Sequence, residues 1–203
     1  MNLGDDVVDL GDPEARLDGL HPRFAERVFT RTEREALEAS ADRHRLHWAL
    51  WAAKESAYKA LAHAEPSAVF TPRAFEVALA AAPSGDAAVI GRVRHGGRAF
   101  ALEVSLRGDA LHAVAWDPDG LATARILRAV GAAGHDPGAD ARRLAACAIG
   151  AALCLDPREV RFVERPPLAV RGGRPLDLVV SLSHHGRFVA CAWAGTASAP
   201  ERA

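Results

Sequence analysis

The sequence predicts an α+β fold of two related halves, and three observations predict it. With 203 residues and 49% hydrophobic side chains, the chain can bury a core. Apolar residues recur at three- and four-residue steps over residues 42–62 and 139–153, the period of a half-buried helix. Short β-prone segments follow each stretch, so each half reads as a helix and then strands. The repeat is architectural only, without strong residue identity between the halves.

The elements follow in order. Asp5 to Leu10 sets Val7-Val8 between acids and suits a first strand. Thr30-Arg-Thr-Glu33 has capping-box spacing and starts a helix that runs to about Ser40. A longer helix over residues 42–62 carries Leu46, Leu50, Ala53, Ala57 and Leu61 on one face, and Pro66 and Pro72 bracket the loop after it. Strands are expected at 75–80, 88–95 and 98–106, the last two joined as a hairpin across Gly96-Gly97, and a fourth at 111–116. Asp117-Pro-Asp-Gly120 is a turn, and the Ala- and Gly-rich residues after it read as a short helix and linker. The last strands fall at 160–163, 178–183 and 188–194. These boundaries give a first lobe at 1–117, a linker at 118–138, a second lobe at 139–195 and a disordered tail at 196–203.

Composition excludes several function classes. The 25 Lys+Arg and 26 Asp+Glu give a formal net charge of -1, so general attraction to nucleic acid or an anionic membrane is not expected. The apolar run Leu144 to Leu155 falls short of the ~20 residues that cross a bilayer, which predicts a soluble, cytoplasmic protein. Cys147, Cys154 and Cys191 lack CxxC spacing and read as core residues, not as disulfide or zinc partners. Among 25 basic residues only Lys54 and Lys59 are lysines, both within Trp51-Ala-Ala-Lys-Glu-Ser-Ala-Tyr-Lys59. A compact ammonium approaches a phosphate oxygen as a point charge where a guanidinium fork does not fit.

On a helix Glu55 and Lys59 share one face, while Lys54 points about a quarter-turn away. Such a pair is most often a surface contact worth a few tenths of a kcal/mol. Asp6, at a strand, changes that balance. Two carboxylates from separate elements beside a lysine suit a Mg²⁺ ion held against a polyphosphate.

Three ordered strings carry a resemblance: Gly4-Asp-Asp6-Val-Val-Asp9-Leu10, Phe29-Thr-Arg-Thr-Glu33, and Trp51-Ala-Ala-Lys54-Glu55-Ser56-Ala-Tyr-Lys59-Ala60. Together they resemble the signature set of the 4′-phosphopantetheinyl transferases, which move the phosphopantetheine arm of coenzyme A onto a carrier-protein serine and release 3′,5′-ADP. The later segments Asp140-Ala-Arg-Arg143-Leu, Asp156 to Phe162, Gly173-Arg174-Pro175 and Val180-Ser-Leu-Ser183-His184-His to Ala190 resemble the amino-terminal half of the two-lobed, surfactin-synthetase-type members. In those the Ser-His segment precedes the Asp motif; here it follows, as in a circular permutation. The alternative is an extended version of the short, trimeric holo-acyl-carrier-protein synthase type. Length favours two lobes in one monomeric chain.

The resemblance implies a pseudo-dimer of two α/β lobes with the active site in the cleft between them. It implies Asp6 and Glu55 as Mg²⁺ ligands, and Lys59 and Lys54 as partners of the phosphates. Ser183, His184, Arg143 and Arg174 would hold coenzyme A, and Glu55 or a metal-bound water would assist removal of the serine proton. Glu33 matches a family position near the metal, while its capping-box spacing gives it a purely structural role with equal weight. An apo acyl or peptidyl carrier protein is the implied partner. Two departures matter. Val8 stands where the two-lobed members have a further acid, and Asp9 faces the opposite side of the strand from Asp6, so a weaker metal site is expected. The lysine-rich coenzyme contacts of the first lobe have no clear counterpart, although Arg125 and Arg128 lie in the relevant region.

Blander roles remain for single residues. His185 reads as a turn or exposed histidine, and Trp48 and Trp51 as helix core. Two other function classes fit the same residues: a noncatalytic binder of coenzyme A or carrier protein, and a Mg²⁺-dependent pyrophosphate hydrolase.

Overall fold

A computed structural model describes residues 2–85, 88–118, 125–164 and 166–195. The expected tail at 196–203 and residues 119–120 of the expected turn lie outside the described residues.

The first lobe starts with strand β1 (Leu3–Asp9), buried along its whole length. Helices α1 (Phe24–Val28) and α2 (Arg31–Ala39) follow, and then α3 (Arg43–Ala64). Strands β2 (Glu76–Leu79), β3 (Val89–His95), β4 (Arg98–Arg107) and β5 (Ala110–Trp116) complete an antiparallel sheet in the order β1-β5-β4-β3-β2. Helix α3 begins where the Asp42 carboxylate accepts from the Arg45 N–H at 3.0 Å. Its buried face is rich in alanine: Ala49, Ala52, Ala53, Ala57 and Ala60 are all fully buried. Alanine favours the helix and lets its axis lie close to the sheet. Val8, Leu102, Leu111 and Phe100 close the core on the sheet side.

The second lobe repeats that path. Strand β6 (Arg125–Ala132) leads to helix α4 (Pro137–Leu153), then to a small sheet of β7 (Val160–Val163), β8 (Leu168–Arg171) and β9 (Arg174–Pro175), and finally to β10 (Leu178–His185) and β11 (Phe188–Gly195). The main sheet has the order β10-β11-β6. In each lobe the first strand pairs antiparallel with the last, and the last with the strand before it: β1-β5-β4 and β6-β11-β10. A helix packs on each sheet, with its own apolar core. The molecule is an α+β pseudo-dimer.

The structure corrects three expectations. Residues 125–132 are strand β6, in antiparallel register with residues 188–195, not a helix and linker. The apolar pairs Ile126-Leu127 and Ala129-Val130 sit in an Ala- and Gly-rich context, and pairing with β11 overrides that local composition. The β8–β9 hairpin turns on Gly172 and Gly173, at φ +55° and +77°, as the expected hairpin turns on Gly96 and Gly97. No strands were expected at 168–175, and Pro175 is tolerated in β9 because that strand is short and at an edge. Cys191 is buried, but Cys147 and Cys154 are exposed. They lie in and after the last turns of α4, on its outward side. Trp48 is core, as expected, and Trp51 is half-buried. Among the described residues, no helix is long and apolar enough to cross a membrane.

Candidate active site

The two faces of β1 serve two lobes. Even-numbered residues meet α3. A Cβ on Gly4 would overlap the Ser56 carbonyl oxygen and sit 2.5 Å from Ala60 N, so this glycine lets strand and helix touch. That contact brings Asp6 beside Glu55 and Lys59. The Lys59 ammonium donates to Asp6 Oδ1 at 2.9 Å and to the Asp5 carbonyl oxygen at 2.8 Å. Glu55 lies close enough to Asp6 for the two carboxyls to interact. Burial and the Asp6 charge push the Glu55 carboxyl up to about 7, against the opposing effect of Lys59. Burial lowers the Lys59 ammonium, but the carboxylates of Asp6, Asp5 and Glu55 outweigh it and hold it above the usual lysine range.

Odd-numbered residues of β1 meet the second lobe. β1 is an edge strand, and so is β10. Side chains join the two edges: the Asp5 N–H donates to Ser181 Oγ at 2.9 Å, and the Asp9 N–H to His185 Nδ1 at 3.1 Å. Four residues separate the partners on both strands, so β1 and β10 run parallel with side chains bridging their edges. The Asp5 carboxylate accepts from Ser183 Oγ at 2.7 Å and lies 3.0 Å from His112 Nε2. Burial raises the Asp5 carboxyl, but the hydrogen bond and charge of His112, with Lys59 and Ser181, bring it below the ordinary range. Asp9 is clasped by Arg187 through Nε at 2.7 Å and Nη2 at 2.6 Å, which holds its carboxyl near 2.

A cleft of about 580 Å³ opens between the lobes, lined on one side by Tyr58, Lys59 and His63 and on the other by Arg142, Leu182 and His184. Burial holds the His63 imidazole below its ordinary value, against a backbone hydrogen bond at Val180. Asp6, Glu55, Lys59 and His184 are therefore the expected residues that the fold gathers.

Others lie elsewhere. Lys54 is fully buried on another side of α3, where it donates to Glu33 Oε1 at 2.9 Å and to the Phe75 carbonyl. Burial outweighs the Glu33 charge and lowers this ammonium below the usual range. Glu33 also accepts from Thr30 N at 2.7 Å and Val77 N at 2.8 Å, so the expected capping box forms and the same carboxylate ties α2 to α3 and β2. Ser183 points at Asp5, while Ser181, Leu182 and His184 of the same strand line the cleft. Arg143 pairs with Asp140 at 2.6 Å and lines a separate hollow with Arg158 and Arg161. Arg174 is exposed on β9, apart from the cleft. The side chains of Arg125 and Arg128 lie outside the described residues.

Val8 is core under α3, and Asp9 belongs to Arg187, so neither supplies a third acid. Among the described residues, no three His, Cys, Asp or Glu side chains cluster as a metal site. The donor set is a pair of adjacent carboxylates, of which burial and the Asp6 charge push Glu55 up to about 7. Two hard oxygens fit a Mg²⁺ ion that keeps several waters and binds phosphate oxygens.

Sequence reasoning missed Asp5, His112, Ser181 and His185. One signal was available: alternation along β1 sends Asp5 and Asp6 to opposite faces, so one of the two acids must meet something other than α3.

No curated protein sequence matches the chain. Thermotoga maritima holo-[acyl-carrier-protein] synthase is a similar solved structure at 14% identity and a TM-score of 0.38, over 86% of this chain and 84% of that one. A family model, that of the 4′-phosphopantetheinyl transferase superfamily, matches residues 2–115, more than half of the sequence. Those residues hold β1, α3 and the Asp6, Glu55 and Lys59 cluster, and the chain belongs to the 4′-phosphopantetheinyl transferase superfamily.

Proposed function

We propose that the protein transfers the 4′-phosphopantetheine group of coenzyme A to a serine of an apo acyl or peptidyl carrier protein, releasing 3′,5′-ADP. The observation that carries this reading is the meeting of Asp6, Glu55 and Lys59 beside a cleft whose far wall presents His184. In the reaction the serine oxygen attacks the phosphorus that bears pantetheine, and the bond from that phosphorus to the ADP phosphate breaks. The serine proton leaves to a base, and ADP takes the electron pair.

Asp6 and Glu55 would hold Mg²⁺, which supplies charge neutralisation at the pyrophosphate when bound. Lys59 adds a second positive charge at the same phosphates, held ready by Asp6 and the Asp5 carbonyl. His184 and Arg142, across the cleft, are placed to meet the remaining phosphates. Glu55, or a water held by Mg²⁺, would take the serine proton. Closing both lobes on the substrate excludes water, which favours transfer over hydrolysis. In this reading the lobe order is permuted, residues 1–117 hold the metal, and the later lobe holds the coenzyme.

The test incubates the protein with coenzyme A, Mg²⁺ and an apo carrier protein. A mass gain of one phosphopantetheine on the carrier serine supports the transferase. Cleavage of coenzyme A without carrier modification selects a hydrolase, and binding without cleavage selects a noncatalytic module.

A further inference from the structure

Asp5 is fully buried, yet all of its polar groups but one have partners in three different elements. Its N–H donates to Ser181 Oγ on β10, and its Oδ2 meets Ser183 Oγ on β10 and His112 Nε2 on β5. Its carbonyl oxygen accepts from Lys59 on α3, the ammonium that also holds Asp6. One residue thus ties the second lobe, the neighbouring strand of the first sheet and the lysine of the candidate site. A packing role alone needs no carboxylate here, since burying one is costly unless it is held.

We infer that Asp5 is a positioning residue for the transfer, fixing β1 at the level where Lys59 reaches both the Asp5 carbonyl and the Asp6 carboxylate. This rests on the transferase reading. Lys59 takes one contact from each of two consecutive residues of β1, so a small slide or twist of the strand would lose one of them. Among the described residues, β1 pairs through its backbone with β5 alone. On its other edge side chains of β10 hold it, and Ser181 and Ser183 supply those around Asp5. Ser183 acts through Asp5 in the same way, instead of touching the coenzyme.

The test compares Asp5→Val, Asp5→Asn and Ser183→Ala in the full-length protein, with coenzyme A, Mg²⁺ and an apo carrier protein. Asp5→Asn keeps an acceptor oxygen for Ser183 and His112, whereas Asp5→Val keeps a strand-compatible shape and removes it. Asp5→Val is expected to lower kcat about tenfold or more while the KM for coenzyme A stays within about threefold, and Asp5→Asn to restore most of the loss. Ser183→Ala should lower kcat severalfold at constant KM. A raised KM at unchanged kcat for Ser183→Ala would make it a coenzyme contact and overturn the inference. Wild-type kcat in folded Asp5→Val would also overturn it. If Asp5→Val does not fold, the kcat and KM of Ser183→Ala decide.

Coenzyme A protection against thermal unfolding, titrated with Mg²⁺, separates this inference from the reading it rests on. A wild type that binds coenzyme A without transferring it ends the transferase reading. Asp5 is then decided by binding: about tenfold more Mg²⁺ required by Asp5→Val supports positioning, and an unchanged requirement overturns it. A wild type that neither binds nor transfers overturns both.

Discussion

The Lys54 ammonium lies 2.8 Å from Glu33 Oε2 inside the first lobe, and neither side chain is more than 3% exposed. Lys59, five residues on, faces the cleft. The two lysines of this arginine-rich chain thus divide between interior and site. Lys54→Ala leaves the Glu33 charge buried and the Phe75 carbonyl without its donor. It is expected to cost about 3–5 kcal/mol in urea denaturation. The KM for coenzyme A of the molecules that remain folded should not change.

Glu55→Gln and Lys59→Ala should each lower kcat by about a hundredfold or more, because each removes a group whose charge acts on the reacting phosphates or proton. Far-ultraviolet circular dichroism should match that of wild type. An unaltered rate in either variant removes that residue from the mechanism.

The Glu55 carboxyl protonates at about 7 in the fold against 4.5 ordinarily, so between these values the folded state binds more protons than the unfolded one. Stability from this group is then full at low pH and falls as pH rises through that window. Without Mg²⁺, Glu55→Gln should melt higher than wild type at pH 8, and the difference should vanish at pH 4. Equal melting temperatures at pH 8 would contradict a raised Glu55.

Gly4→Ala puts a methyl group against the Ser56 carbonyl and Ala60 N, backbone atoms that cannot swing aside. Strand and helix must separate, at a cost of about 1–3 kcal/mol or more. Since that contact also brings Asp6 to Glu55 and Lys59, turnover should fall further than stability. The comparison is kcat at a temperature where the variant is fully folded.

Both lobes lie in one chain, with the candidate cleft between them. Sedimentation equilibrium should therefore give a monomer, and a trimer would favour the short-type architecture.

Much of this was legible in the sequence because the signals were local. The Thr30 to Glu33 capping box, the alanine-rich period of α3 and the Gly96-Gly97 hairpin each depend on residues within a few positions, and each forms. Asp6, Glu55 and Lys59 were legible as a set because helical spacing puts two of them on one face and the motif supplies the third. Strand β6 was not, because its pairing with β11 spans about sixty residues of chain.

By itself, then, the sequence determined the α+β class, most of the helices and strands, and which three side chains could share a phosphate. Only the tertiary structure decided where the remaining polar groups go: Lys54 and Glu33 inward to each other, Ser183 to Asp5, and His184 alone of its pair to the cleft. The reason is physical. Spacing along one element fixes which face a residue takes, whereas the partner on that face is set by the packing of elements distant in the chain, and a buried charge or hydroxyl goes where it is hydrogen-bonded.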